Sequence, residues 1–184
     1  MARRHDPGRR QRIIDAAIRV VGRAGIAGLS HRTAAAEADV PLGSTTYHFA
    51  TLDELLVAAL RQTNENFART LDACLLERAA GAPDGDLAAD LARALGLWLG
   101  GDRTGVELEY ELYLAALRRP ALRPVAAEWT EETAARLARR TDPATARALL
   151  ALMDGICLQV LLTGGSYDEG EAREALGRVI PRVP

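Results

Sequence analysis

The stretch Leu29-Ser-His-Arg-Thr-Ala-Ala-Ala-Glu-Ala-Asp-Val-Pro-Leu-Gly-Ser-Thr-Thr-Tyr-His-Phe49 reads as two short helices joined by a tight turn. Ser30 can cap the first of them, because its hydroxyl can accept a backbone N–H that the first turn leaves over. Ala34, Ala35 and Ala38 are small enough for close packing. Val40 and Pro41 then break the helix and launch a second one toward Tyr47 and His48. In a helix-turn-helix of this kind the second helix enters the major groove of DNA while the first crosses the backbone.

Working outward, an apolar helix carrying Ile13, Ile14, Ala17, Val20, Val21 and Ala24 ends at Gly25 ahead of the motif, and Asp53-Glu-Leu-Leu56 opens a long helix behind it. This order of parts, with the series Leu42-Gly-Ser-Thr-Thr-Tyr-His-Phe49, resembles the amino-terminal domain of the TetR family of transcriptional regulators from about Gln11 to about Leu60. The resemblance implies an all-α fold of about nine helices. A three-helix DNA-binding head occupies residues 1–50, and a larger ligand-binding and dimerisation domain occupies 51–184. It also implies a homodimer closed by the last helices as a four-helix bundle. Four positions depart from the family pattern: Thr45 replaces Leu or Ile, Thr46 a phosphate-contacting Tyr, Asp39 a turn Gly, and Leu52 a phosphate-clamping Lys. Asp can take the glycine's place because its short polar side chain tolerates a left-handed backbone.

Charge is distributed to match. Residues 1–50 hold eight arginines against four acids, a local +4, and the remainder holds 15 against 21, a local −6, within a net −2. Five of the eight fall within residues 3–12, ahead of the motif, where they can meet phosphates. The chain has no lysine, so every fixed cation is a guanidinium able to grip phosphate with two donors. Cys74 and Cys157 are too few for a disulfide framework and fit a reducing cytoplasm as free buried thiols. Met-Ala-Arg-Arg-His-Asp-Pro at the amino terminus has no apolar core of a signal peptide. The longest apolar run, Ala148 to Leu162, is interrupted by Asp154, Gly155 and Gln159 and reads as too short to span a bilayer.

Beyond the motif the pattern is helical. Leu55, Leu56, Phe67, Leu71 and Leu75 mark one face of a helix of roughly seven turns, opened by the capping box Thr51-x-x-Glu54. Gly81-Ala-Pro-Asp-Gly85 reads as a loop, and Leu87, Leu91, Leu95 and Trp98 as a stripe ending at Gly100-Gly101. Val106 to Leu114 alternates like a strand, yet Leu108, Leu112 and Ala115 keep helical spacing, and no partner strand is visible. A helix is therefore expected there, stopped by Pro120. Further helices fit 121–140 with a kink at Pro124, 143–163, and 169–180.

The candidate DNA-binding residues are Arg3, Arg4, Arg9, Arg10, Arg32, Gly43, Ser44, Thr45, Thr46, Tyr47 and His48. Arg32 matches a base-contacting Arg of the family and can present two donors to a guanine. The hydroxyls of Ser44, Thr45 and Thr46 suit base edges or phosphates, Gly43 permits close backbone approach, and Tyr47 suits a phosphate. His48 suits either a phosphate or a structural role at the helix end. The candidate effector residues are Trp98, Tyr110, Tyr113, Trp129, Met153, Asp154 and Cys157, large or polarizable side chains in the carboxy-terminal helices. Asp154 stands out as a carboxylate on a nearly all-apolar helix, where it needs a partner in the dimer or a ligand. Glu107, Glu109 and Glu111 could serve a cationic ligand, but read first as an exposed acidic face.

His5, His31 and His48 do not pair at metal spacing, and no nucleophile, phosphate loop or metal cluster is visible. The reading is a cytoplasmic transcriptional regulator without cofactor, metal, catalysis or membrane. It binds a palindromic operator as a homodimer and is released by a largely apolar small molecule. A nonspecific DNA-coating protein is the alternative, with a helical enzyme or carrier behind it.

Overall fold

The computed structural model describes residues 8–77, 86–101 and 103–181. Among these residues the chain forms nine α-helices, two short 3-10 turns and no strand. In order they are α1 (Arg9–Ala24), α2 (His31–Glu37), α3 (Leu42–His48), α4 (Leu52–Glu77), α5 (Leu87–Gly100), α6 (Arg103–Ala115), α7 (Arg123–Leu137), α8 (Pro143–Thr163) and α9 (Glu169–Gly177), with 3-10 turns at Ile26–Gly28 and Pro120–Leu122. The loop expected at Gly81 to Gly85 lies outside the described residues, as do Arg3 and Arg4.

The helices divide into two compact units, residues 1–63 with 104–126 and residues 64–103 with 127–184. The division does not follow the order of the chain. α4 is one uninterrupted helix that contributes to both units, and α6 belongs to the first. In that unit Ile13, Ile14, Ala17, Val20 and Val21 of α1 pack with Leu29, Ala34, Phe49, Leu55, Leu56 and Leu60. Leu108 and Leu112, one turn apart on α6, are buried in the same cluster, together with Leu122 and Val125. Each such leucine contributes about 1.5–3 kcal/mol of transfer free energy, enough to hold α6 to the head.

In the second unit α5 buries Leu87, Leu91, Ala92 and Leu95 and pairs with α9, which buries Ala172 and Leu176. α8 packs on both and buries Leu149, Leu150, Met153 and Cys157. The buried carboxylate of Asp90 meets the Arg140 guanidinium at 3.5 Å, and that guanidinium also donates to the Leu75 carbonyl at 3.1 Å. The helix starts are capped by Asp86, Asp142 and Asp168, each accepting backbone N–H groups of its first turn. Asp142 is held below the usual carboxylate range, chiefly by the Thr145 hydroxyl and then by the Thr145 N–H.

Two expectations need correction. Pro124 does not kink a helix, because α7 starts at Arg123 and places the proline in its first turn, where the missing N–H removes no internal bond. The run from Ala148 to Leu162 is part of a 21-residue helix long and apolar enough, by length and composition alone, to cross a membrane. Asp154, Gly155 and Gln159 do not interrupt a helix, since none removes a backbone donor, so the length argument against a span does not hold. A third of that apolar stretch is buried within the chain.

Candidate functional site

The geometry of the motif follows from three local devices. The Ser30 hydroxyl accepts the Thr33 N–H at 3.0 Å while the Thr33 hydroxyl accepts the Ser30 N–H at 2.8 Å, a reciprocal cap that starts α2. At the other end Asp39 adopts φ 51°, the left-handed conformation, and lets Val40 N–H reach back to the Ala35 carbonyl at 3.0 Å. Pro41 then opens α3, with the Ser44 N–H donating to its carbonyl at 2.8 Å.

The resulting α3 has two unlike sides. Gly43, Thr46 and Tyr47, at helical spacing, are exposed, and Tyr47 is 82 % exposed. A Cβ at Gly43 would meet nothing within 4 Å. Ser44 and His48 are half-buried, the latter edge-on to the Tyr47 ring at 5.1 Å. Arg32 is exposed on α2, Arg9 is half-buried, and Arg10 is exposed with its guanidinium over the Phe49 ring at 5.0 Å.

Thr45 does not belong with these candidates. It is 0 % exposed, and its hydroxyl donates to the Leu42 carbonyl at 2.7 Å and to the His31 carbonyl at 3.4 Å. It is the residue that packs α3 on α2, and back-bonding satisfies the hydroxyl that Leu or Ile would not carry. Arg19 and Arg23 also have a structural use, since both donate to Glu37 at the end of α2, Arg19 at 2.6 Å. These two hydrogen bonds, Arg19 first, hold Glu37 below the usual carboxylate range.

The effector candidates fall in both units. Trp98, Trp129, Met153, Asp154 and Cys157 lie in the second, Tyr110 and Tyr113 in the first. Tyr113 packs against the head cluster. Trp98 and Trp129 are gathered by a residue absent from the candidates, Phe67 of α4, whose ring meets them edge-on at 5.3 and 5.5 Å. Its place in the α4 stripe announced it as core but carried no sign of its aromatic partners. Trp129, Met153 and Cys157 are buried, Trp98 and Asp154 half-buried, and the two cysteines are buried and not joined in a disulfide.

The acidic face on α6 is corrected as well. Glu107 is exposed, but Glu109 is buried, and the half-buried Glu111 accepts the Ile26 N–H at 2.7 Å. Charge runs usually mark a solvated face, whereas helical spacing turns these three carboxylates in different directions. Tyr167, also absent from the candidates, donates its hydroxyl to the Ala92 carbonyl at 2.6 Å, and burial raises its pKa above the ordinary tyrosine range. Among the described residues no group of three or more His, Cys, Asp or Glu is placed to hold a metal ion.

Comparison with known proteins decides the family. Residues 82–182 match the family model for the tetracyclin repressor-like carboxy-terminal domain. The HTH-type nicotine-responsive transcriptional repressor HdnoR of Paenarthrobacter nicotinovorans is 32 % identical over 168 residues, covering 82 % of each chain. The chain belongs to the TetR family. This TetR-family regulator is also 75 % identical to the multidrug binding protein EbrR in its crystal structure with imidazole, with a TM-score of 0.85 and coverage of 97 % of this chain and 98 % of that one. A TetR-family member from Streptomyces coelicolor A3 is 74 % identical, with a TM-score of 0.87 and coverage of 96 % and 100 %. EbrR has further been crystallised with ethidium, malachite green and proflavin. The all-helical, strand-free architecture of the described residues is the one these structures share.

Proposed function

We propose that this TetR-family regulator is a homodimeric, cytoplasmic repressor. It holds a palindromic operator through residues 1–50 and releases it when a small, largely apolar aromatic molecule binds within 51–184. The observation that carries the DNA reading is the two-sided α3: Thr45 anchors it to α2 while Gly43, Thr46 and Tyr47 are exposed, as is Arg32 on α2. In this reading Arg32 contacts a base, Ser44 and Thr46 meet base edges or phosphates, and Tyr47, His48 and the arginines at 3, 4, 9 and 10 meet the backbone.

Two features support the dimer and the effector. On α8, Leu162 is 83 % exposed beside half-buried Leu158, Val160 and Leu161, an apolar face that a second copy would cover. The aromatic trio of Phe67, Trp98 and Trp129 brings three rings together in the second unit, and EbrR, at 75 % identity, has been crystallised with ethidium and proflavin. Release would be a population shift, in which ligand favours a spacing of the two heads that misses successive major grooves.

Footprinting on the DNA flanking the chain's own gene tests this. Discrete, symmetric protection that Arg32→Ala weakens by about 1–3 kcal/mol, with a much smaller loss on random DNA, is the expected result. Uniform coating without a footprint would instead favour a nonspecific DNA-coating protein. Sedimentation at twice the chain mass is expected, and a stable monomer at micromolar concentration would refute the dimer.

A further inference from the structure

Among the described residues of the second unit, two buried side-chain oxygens have no hydrogen-bond partner: Asn64 Oδ1 on α4 and Thr133 Oγ1 on α7. Asn64 is 8 % exposed and Thr133 0 %. A carbonyl or hydroxyl left unsatisfied inside a protein forfeits its hydration for nothing, so native interiors rarely keep one without a use.

Their placement suggests the use. Asn64 lies one turn before Phe67 on α4, and Thr133 one turn after Trp129 on α7. The rings of Phe67 and Trp129 meet at 5.5 Å, and Trp98 completes the wall from α5. α4 and α7 run in the same direction here, because Phe67 meets Trp129, Asp72 meets Arg136 at 3.6 Å, and the Leu75 carbonyl meets Arg140 at 3.1 Å. With a rise of about 1.5 Å per residue, the two polar residues are therefore offset by about 10 Å along the helices, one at each end of the aromatic wall. That span matches a flat fused-ring molecule with an N–H donor at either end.

We propose that Asn64 and Thr133 are the polar recognition groups of an effector subsite walled by Phe67, Trp98 and Trp129, and that the subsite takes fused-ring aromatic amines. The amide oxygen and the hydroxyl each accept an N–H, while the rings cover the apolar faces. The proposal rests on the effector reading given under Proposed function and narrows its ligand class to molecules that donate hydrogen bonds.

The test uses the full chain, operator DNA and two dyes of one frame: proflavin, which carries two amino groups, and acridine orange, in which all four amino hydrogens are methyl groups. Trp fluorescence quenching reads affinity. Asn64→Leu and Thr133→Val should each weaken proflavin about tenfold, because the bound amine loses its acceptor, while acridine orange changes less than about threefold. Thr133→Ser should retain proflavin. The ligand-free melting temperature of the apolar variants should hold or rise, since each removes an unsatisfied buried group. Unchanged proflavin affinity in both variants, or equal losses for both dyes, would overturn the subsite, as would wild-type protein that binds no proflavin. Wild-type protein that binds proflavin with the expected variant pattern yet keeps its operator would leave the subsite standing and refute the effector reading.

Discussion

Replacing Glu111 by Ala should destabilise the DNA-reading unit although Glu111 lies 85 residues from its partner. Its carboxylate accepts the Ile26 N–H at 2.7 Å, and a Cβ at Gly25, whose φ is 67°, would sit 3.3 Å from the same oxygen. Ile26 opens the 3-10 turn that carries the chain from α1 to the Ser30 cap, so this bond ties the approach to α2 to a carboxylate on α6. A hydrogen bond to a charged acceptor is worth about 1.5–3 kcal/mol, and the half-buried carboxylate keeps some water, which lowers the value to about 1–2 kcal/mol. For a chain of this size that corresponds to a fall of about 2–8 °C in melting temperature. Glu111→Gln, which keeps an acceptor and loses the charge, should lose about half as much. Operator affinity measured by fluorescence anisotropy should fall with Glu111→Ala, because the segment leading into α2, which carries Arg32, loses its tie to α6. Glu107→Ala, at an exposed position of the same helix, should change both quantities by less than half as much, because exposed charge contacts contribute little. Thermal melts at one fixed protein concentration decide the matter: a Glu111→Ala melting temperature within about 1 °C of wild type would refute the reasoning.

At Asp39 the left-handed φ of 51° favours glycine, so Asp39→Gly should hold or raise stability. Asp39→Ala should lose about 1 kcal/mol in urea unfolding, and equal midpoints for the two would refute the turn argument. Leu52 packs against the head cluster, so Leu52→Lys should lower the melting temperature and leave the salt dependence of operator binding unchanged. A slope steeper by about 1.8 per dimer would instead place the new cation at a phosphate. Glu37, held below its ordinary 4.5 by Arg19 and Arg23, stabilises the fold fully above that value and loses its effect as pH falls through the depressed folded value. Glu37→Gln should therefore be less stable than wild type near neutrality and equal to it in strong acid, and a pH-independent difference would count against this pairing.

What short-range spacing could determine, the sequence determined alone. Ser30 and Thr51 announced helix starts, and Pro41 and Pro143 opened helices. Gly100-Gly101 and Gly164 ended them, and Asp39 was legible as a left-handed turn, because a cap or a turn is a contact among residues at most a few positions apart. The Leu108 and Leu112 stripe likewise showed that α6 has an apolar face. Which surface covers such a face is a long-range choice, and only the tertiary structure placed that stripe in the head cluster with α1 and α4. The same limit hid the burial of Thr45: on a helix of seven residues with hydroxyls at three successive positions, polarity does not say which one points inward. It hid the bond from Glu111 to Ile26, the gathering of Trp98 and Trp129 on Phe67, and the unsatisfied atoms of Asn64 and Thr133, all of which arise only when distant helices pack. Periodicity encodes that a residue faces inward, whereas the identity of its neighbour depends on how the helices cross, which no local pattern carries.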